Sequence, residues 1–367
     1  MKKKPPRQKQ PRQNNNRDLS FIVGIPILLT FIGLFFIFEA SSVSAFRSIG
    51  DSFHFLKLQA VWFTMGFAAM VFFALFDYRK LYYLAFPALL VSIIFLVLVL
   101  LPGIGTHVAG ARRWISIGSF TFQPTEVAKF SVILYLSSWF LHKEKKRFLS
   151  FLALLVFIIG LIMVQPDMGT TIIIFSLFVS IYFFSGEDLK HLLLLLPISL
   201  GGFLLLVATS SYRMRRMFAF LNPEADPEGV TYHIRQILIS LSSGGIIGRG
   251  FSSSRQKYQF LPEAHTDSIF AIIGEEVGFI GSLILIILYI TLLYFLFKAA
   301  QQARDRFGKL LVSAIFSLLG LQLIINLGGM VSLIPLTGVP LPFISYGGSS
   351  LLVFYSLLGI VISVVRR

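Results

Sequence analysis

Apolar runs of about twenty residues recur along this chain, and no other feature restricts its fold so strongly. A backbone amide without a partner in hydrocarbon costs several kcal/mol, so each run must close its own hydrogen bonds as a helix. Only 13% of the residues are charged, against about 25% in an ordinary soluble domain. The pattern predicts an all-α polytopic membrane protein with about ten transmembrane helices. The predicted spans are Leu19–Ala40, Leu58–Phe76, Leu81–Leu101, Glu126–Leu141 and Phe148–Val164. They continue with Thr170–Phe184, His191–Thr209, Ser268–Lys298, Leu310–Ile334 and Ser349–Val365. A long polar segment, residues 210–266, separates the seventh span from the eighth.

Basic residues in the short loops set the expected orientation. With the N-terminus in the cytoplasm, the inner loops carry Arg79-Lys80, the Lys143–Arg147 cluster, Lys190, Arg304, Arg306 and Arg367. Both termini are then cytoplasmic, and residues 210–266 form a large extracytoplasmic loop. The loop bearing Arg112 and Arg113 also falls outside, against the charge rule, and calls for either headgroup contact or an anion site. The net charge of +15 does not imply nucleic acid, because Lys2, Lys3, Lys4, Arg7, Lys9, Arg12 and Arg17 sit in one polar tail. Residues 1–18 read as a disordered basic cytoplasmic tail, and residues 19–367 as a single transmembrane domain. The chain has no cysteine, which excludes disulfides, thiolate metal sites and a cysteine nucleophile. No internal repeat is evident, which argues against an inverted-repeat transporter.

Four constellations carry possible chemistry. The first is Leu261-Pro262-Glu263-Ala264-His265-Thr266-Asp267-Ser268, a polar turn delivered onto the mouth of a span. Asp267 can cap the following helix, act as a base, or do both. Position N3 would be Phe270, so there is no capping box. His265 reads as a hydrogen-bonding loop residue, and Glu263 as a solvated charge or an orienting partner. The second constellation is Glu126 and Lys129, three apart and on one helical face. They are either a self-neutralising pair or a cation poised for an anionic headgroup. The third is Gln165-Pro166-Asp167-Met168-Gly169, where Asp167 is placed to cap the sixth span. Further on, Glu275 lies about 80° round a helix from Asp267 and Glu276 nearly opposite, which makes Glu275 the better cavity residue. The fourth runs from Ile334 to Ser350, where three prolines and three glycines preclude a regular helix. Such backbone within a membrane protein must be buried in protein or line a wet cavity. Gly347 and Gly348 would leave amides free at a helix start, a plausible anion seat. Together these groups permit transfer from a lipid diphosphate donor without demanding it.

The stretch Gln256–Asp267, continuing through Ile269-Phe270-Ala271 to Glu275-Glu276, resembles the SEDS family of shape, elongation, division and sporulation proteins. The Ala109–Lys129 loop, the Gln165–Gly169 break and the Thr337–Ser350 hook match as well. Arg255-Gln256-Lys257-Tyr258 and Pro262-Glu263-Ala264-His265 favour the division branch, with sporulation relatives close and the elongation branch further off. Ser268 departs from the bulkier aromatic expected there.

The resemblance implies a peptidoglycan glycosyltransferase that polymerises lipid II at the outer face of the cytoplasmic membrane, at the division septum. The essential acid maps onto Asp267, acting on the acceptor sugar hydroxyl. That hydroxyl attacks the donor's anomeric carbon, inverts it to a β-1,4 link and expels undecaprenyl diphosphate. Lys129, Arg112 and Arg113 would hold the diphosphate, with Glu126 positioning Lys129. Trp114, Glu263, His265, Glu275, Ser345 and Gly347 complete the substrate-binding candidates, and Asp167, Pro340 and Pro342 shape the cavity. A divalent cation, Mg or Mn, is implied by the family alone. The implied partners are a class B penicillin-binding protein and other division membrane proteins. A lipid II flippase, an elongation polymerase and a non-catalytic scaffold are the alternatives.

Overall fold

The computed structural model describes residues 13–108, 111–118, 120–142, 147–208, 211–221, 230–254 and 261–367. Twelve helices are found among them. The first seven are α1 (Gln13–Ile49), α2 (His54–Leu75), α3 (Leu81–Leu98), α4 (Pro124–Trp139), α5 (Arg147–Val164), α6 (Met168–Ser185) and α7 (Leu189–Ala208). The remainder are α8 (Ser211–Leu221), α9 (Val230–Gly244), α10 (Ile269–Gln302), α11 (Arg306–Met330) and α12 (Gly348–Arg366).

Eight of these helices are long and apolar enough to cross a membrane: α1, α2, α3, α5, α6, α10, α11 and α12. Helices α4 and α7 occupy the other two predicted positions. The 16 residues of α4 rise only about 24 Å. They include Glu126 and Lys129, and α4 is buried against its neighbours along most of its length. The bundle has a centre and a rim. For α12, 83% of its apolar window is buried, against 22% for α2, whose outer face is left for lipid. The two helices pack along each other so closely that a Cβ on Gly359 would lie 2.4 Å from the Met70 carbonyl oxygen. Small residues at such crossings let membrane helices gain van der Waals contact where lipid supplies no hydrophobic drive.

Three features depart from the sequence reading. The fold is not purely α. The segment between α3 and α4 forms a small antiparallel sheet of β1 (Gly105–Val108), β2 (Ala111–Ile117) and β3 (Phe120–Phe122), in the order β1-β2-β3. Its residues alternate, with Arg112, Trp114 and Ser116 on one face of β2 and Arg113 and Ile115 on the other. Gly118 turns the chain at φ +61°. The sheet sits on the bundle through Phe120 against Trp62 and Phe122 against Phe95. Second, residues 210–266 are not simply loop, since they contain α8 and α9. Third, α1 begins at Gln13, inside the segment read as tail. Residues 255–260, which contribute to the family resemblance, and Lys143–Lys146 lie outside the described residues.

The irregular backbone at the break in α10 is partnered by a neighbouring turn. Helix α10 is interrupted at Gly278, with φ 68° and ψ −165°. A continuous helix would bond the amides of Phe279 and Ile280 to the carbonyls of Glu275 and Glu276. Those four groups instead bond to the turn after α9. Arg249 and Gly250 amides donate to Glu275 and Glu276 carbonyls, and the Gly245 and Ile246 carbonyls accept from Phe279 and Ile280, all at 3.0–3.1 Å. The turn is thus laced into the helix, which satisfies the requirement that no backbone group go unpaired in lipid.

Candidate active site

The turn Leu261–Ser268 is closed by its own backbone. The Glu263 carbonyl accepts from the amides of Thr266 and Ser268, each at 3.2 Å. Glu263 takes a left-handed conformation, φ 50°, to make this possible. Ser268 occupies the N-cap position of α10, one residue past Asp267, and no side chain makes a cap hydrogen bond there. Asp267 thus stands just outside the helix, one residue before its N-cap. The small side chain of Ser268 lies 2.8 Å from Nε2 of His233, tying α9 to the turn, where a bulkier residue would not fit as fully buried. The Thr266 hydroxyl lies 2.7 Å from Glu263 Oε2 and 3.3 Å from Asp267 Oδ1, between two carboxylates.

Asp267 itself is 9% exposed. The hook between α11 and α12 lies over it. A Cβ on Gly338, a residue at φ +72°, would sit 3.6 Å from Asp267 Oδ2. Both the positive φ and the proximity suit glycine. The hook is anchored from α11, where Gln322 and Asn326, one turn apart, face it. Asn326 Nδ2 donates to the carbonyls of Asp267 at 2.9 Å and Val339 at 2.8 Å. Gln322 Nε2 donates to the Pro340 carbonyl at 3.1 Å. The Tyr289 hydroxyl donates to the Pro342 carbonyl. One amide side chain thereby fixes both the acid-bearing turn and the hook that covers it.

Glu126 and Lys129 join this network from α4. They are 3% and 2% exposed, and Lys129 Nζ lies 2.7 Å from Glu126 Oε1. The ammonium also donates to Gln322 Oε1 at 3.2 Å. Neither side chain snorkels to water. Two buried acceptors, Glu126 Oε2 and Asn326 Oδ1, have no donor among the described residues. Gln322 and Asn326 were not singled out from the sequence. The available signal was two amide side chains four residues apart in an otherwise apolar span.

The remaining candidates are dispersed around this centre. Arg113 donates from Nε to the Gln165 carbonyl at 3.1 Å and from Nη2 to the Pro166 carbonyl, bracing the break between α5 and α6. Arg112 reaches the Leu100 carbonyl at 3.5 Å, and Trp114 pairs with Thr106 across β1 and β2. Asp167 caps α6 by accepting from the Thr170 amide at 3.0 Å, and Gln123 Nε2 meets its other oxygen at 3.2 Å. The Glu275 carboxylate accepts from Ser240 and Ser254, so it fastens α9 and the strap after it to α10. His265 packs against Phe55 in a tilted arrangement with ring centroids 4.4 Å apart, and its ring centroid lies 5.6 Å from that of Tyr346. Burial lowers its pKa below the ordinary imidazole value, partly opposed by the charge of Glu263.

The expected anion seat at the start of α12 is corrected. The Gly347 amide donates to Gln59 Oε1 at 3.2 Å, and Gln59 Nε2 donates to the Ser345 carbonyl at 3.2 Å. Gly348 is covered by Trp62, whose indole occupies the space a Cβ would need, at 2.1 Å. A glutamine on α2, unmarked in the sequence reading, has taken the place assigned to a ligand. Among the described residues no three His, Asp or Glu side chains converge as a protein-held metal cluster would require.

Residues 19–367 match the family model described as "Cell cycle protein", which groups FtsW, RodA and SpoVE. The chain belongs to the FtsW/RodA/SpoVE family. It is 37% identical over 352 residues to a probable peptidoglycan glycosyltransferase FtsW of Geobacter metallireducens, covering 94% of each chain. It is 38% identical over 357 residues to the stage V sporulation protein E of Bacillus subtilis, covering 95% of this chain and 97% of the relative. Its fold is similar to a chain of a solved peptidoglycan synthase complex, with TM-score 0.75, 28% identity and coverage of 94% and 96%. The rod shape determining protein RodA of Thermus thermophilus aligns at TM-score 0.70 and 27% identity, covering 95% of this chain and 96% of that one. The family membership and these neighbours agree with the multi-pass helical architecture.

Proposed function

We propose that this member of the FtsW/RodA/SpoVE family is a peptidoglycan glycosyltransferase, polymerising lipid II at the outer face of the cytoplasmic membrane during septal wall synthesis. The observation that carries the reading is Asp267. It is a nearly buried carboxylate at a helix mouth, one residue before the N-cap, with its backbone clamped by Asn326 and its side chain against the hook. A carboxylate held in that way can take the proton from an acceptor sugar hydroxyl. The hydroxyl oxygen bonds to the donor's anomeric carbon as the carbon–oxygen bond to diphosphate breaks. The electron pair leaves with undecaprenyl diphosphate, the link formed is β-1,4, and the proton ends on Asp267. Cationic groups around the diphosphate stabilise the charge that develops on it. Lys129 contributes from within the network, oriented by Glu126 and Gln322.

Several relatives carry the glycosyltransferase name, which supports the chemistry, and the higher identities to FtsW and sporulation proteins support a division role over elongation. One structural neighbour comes from a synthase complex that coordinates polymerization and crosslinking. A class B penicillin-binding protein is accordingly the expected partner here, alongside other division membrane proteins. The test is polymerisation of fluorescent lipid II by the purified chain, with and without that partner. Glycan strands from wild type, absent for Asp267→Asn and Asp267→Ala while the partner still binds, are the expected result. Strands made equally by both variants would remove Asp267 from the mechanism, and lipid II translocation in vesicles without strands would replace the polymerase by a flippase.

A further inference from the structure

A cavity of about 310 Å³ opens beside the hook, between α6, α8, α11 and Ile334–Thr337. Its walls are apolar, with Ile172 on α6, Leu321 and Ile325 on α11 and Leu336 on the hook. Among the described residues two arginines line it, Arg113 from β2 and Arg213 from α8, and no acid does. Arg213 Nε and Nη1 are buried and have no hydrogen-bond partner among the described residues. Buried guanidinium nitrogens are costly unless an anion or acceptor meets them. Arg113 is held by the Gln165 and Pro166 carbonyls through Nε and Nη2, which leaves Nη1 uncommitted in those contacts. Lys129 does not line this cavity, its ammonium being engaged by Glu126 and Gln322.

The depth of the cavity follows from α8. This helix carries Arg213 and Arg215 on a short amphipathic sequence, with Phe218 and Leu221 exposed. Helices of that kind lie in the plane of the headgroup region, apolar side toward the acyl chains. An apolar slot with two guanidinium groups at that level is complementary to a lipid with a phosphate or diphosphate head. The slot also shares a wall with the candidate active site. Thr337 and Leu336 line the cavity, while Gly338, the next residue, lies against Asp267.

We propose that this cavity seats the diphosphate and first isoprene units of a polyprenyl diphosphate lipid, with Arg213 and Arg113 binding the phosphates. The proposal rests on the glycosyltransferase reading for its choice of lipid and adds Arg213 to the cations that hold the diphosphate. Arginine suits it, since its planar fork binds phosphate oxygens in pairs. The motion of one short hook segment would be felt both by the bound diphosphate and by Asp267.

The experiment is equilibrium binding of undecaprenyl diphosphate to the full-length protein in nanodiscs, read by native mass spectrometry, with phosphatidylglycerol as competitor. Arg213→Gln is expected to weaken binding at least tenfold, and Arg213→Lys to weaken it less. Ile172→Trp, which fills the slot without touching a charge, is expected to weaken it at least tenfold as well. Unchanged affinity in both Arg213→Gln and Ile172→Trp would overturn the proposal. So would displacement by phosphatidylglycerol at equal concentration, which would make this an ordinary phospholipid site. Asp267→Asn is expected to bind undecaprenyl diphosphate as wild type does. Strand synthesis that survives Asp267→Asn would sink the catalytic reading while leaving the binding result intact. Synthesis lost with Asp267→Asn, beside unaltered binding in both Arg213→Gln and Ile172→Trp, would sink the cavity proposal alone.

Discussion

Removing one partner of the Glu126–Lys129 pair leaves a charge buried in the bundle with nothing to neutralise it. Breaking such a pair typically costs about 3–5 kcal/mol, whereas replacing both members by apolar residues is often neutral. Lys129→Met or Glu126→Leu alone should therefore lower the melting temperature markedly. The double variant should recover most of it. Polymerisation should fail in all three. Recovery of activity along with stability would show the pair to be structural only. A pH effect belongs to His265. Its pKa is lowered by burial, so the folded protein holds the imidazole neutral while the unfolded chain protonates near 6.5. Because the folded value is depressed, this stability is fully present above 6.5 and is lost as pH falls through the folded value. Melting from pH 8 to pH 5 should show an acid-side loss that is smaller in His265→Asn. Equal losses would mean that His265 does not titrate in this window. At this scale the sequence exposed the charged residues well. Asp267, Glu126 and Lys129 stood out because charge in a span is expensive. Neutral amides carry no such flag, and so Gln59, Gln322 and Asn326, which do most of the clamping, passed unnoticed.

Helix positions were legible because lipid imposes them. Each predicted span has a helix in its place, and Asp167 caps α6 as its spacing suggested. The small sheet was not legible, since β1 to β3 run four, seven and three residues, too short for alternation to separate strand from loop. Nor was the lacing at Gly278, because its partner is a turn some thirty residues earlier and period alone cannot find it. That lacing makes a sharp prediction. A Cβ on Gly248 would lie 2.2 Å from the Glu276 carbonyl oxygen, and one on Gly278 would lie 2.2 Å from the Gly248 amide nitrogen. Both glycines have positive φ. Gly248→Ala and Gly278→Ala should each cost about 2 kcal/mol or more and reduce the folded yield. Gly202→Ala on α7, with open space around it, should be silent or mildly stabilising. Thermal melting in detergent, with Gly202→Ala as the control, checks the comparison. Tolerance of alanine at both Gly248 and Gly278 would mean the turn is not threaded through α10.

Across the whole molecule, ion pairs and hydrogen bonds tie together the short loops at one end of the bundle. At one end Asp305 accepts from Tyr78 and Arg79, Arg367 pairs with Asp77 at 3.2 Å, and Arg306 donates to the Ser185 carbonyl. Residues remote in sequence thus gather their basic loops, including Lys80 and Lys190, on one face. The other end carries the sheet, the hook and Asp267. The proposed chemistry requires that second end to face outward, where the donor's sugars and the growing wall are. The expected orientation places the basic end in the cytoplasm. The absence of native cysteine makes this directly measurable, since any introduced thiol is unique. Ser253, exposed near the active-site end, and Arg304, exposed at the basic end, are suitable positions. An impermeant maleimide added to intact cells should label Ser253→Cys at once. It should reach Arg304→Cys only after the membrane is opened. The reverse pattern would place Asp267 on the cytoplasmic side, away from any extracytoplasmic strand, and the polymerase reading would fall with it. Labelling of both thiols in sealed cells would instead require two orientations of the same chain and would equally remove the support for a single outward-facing site.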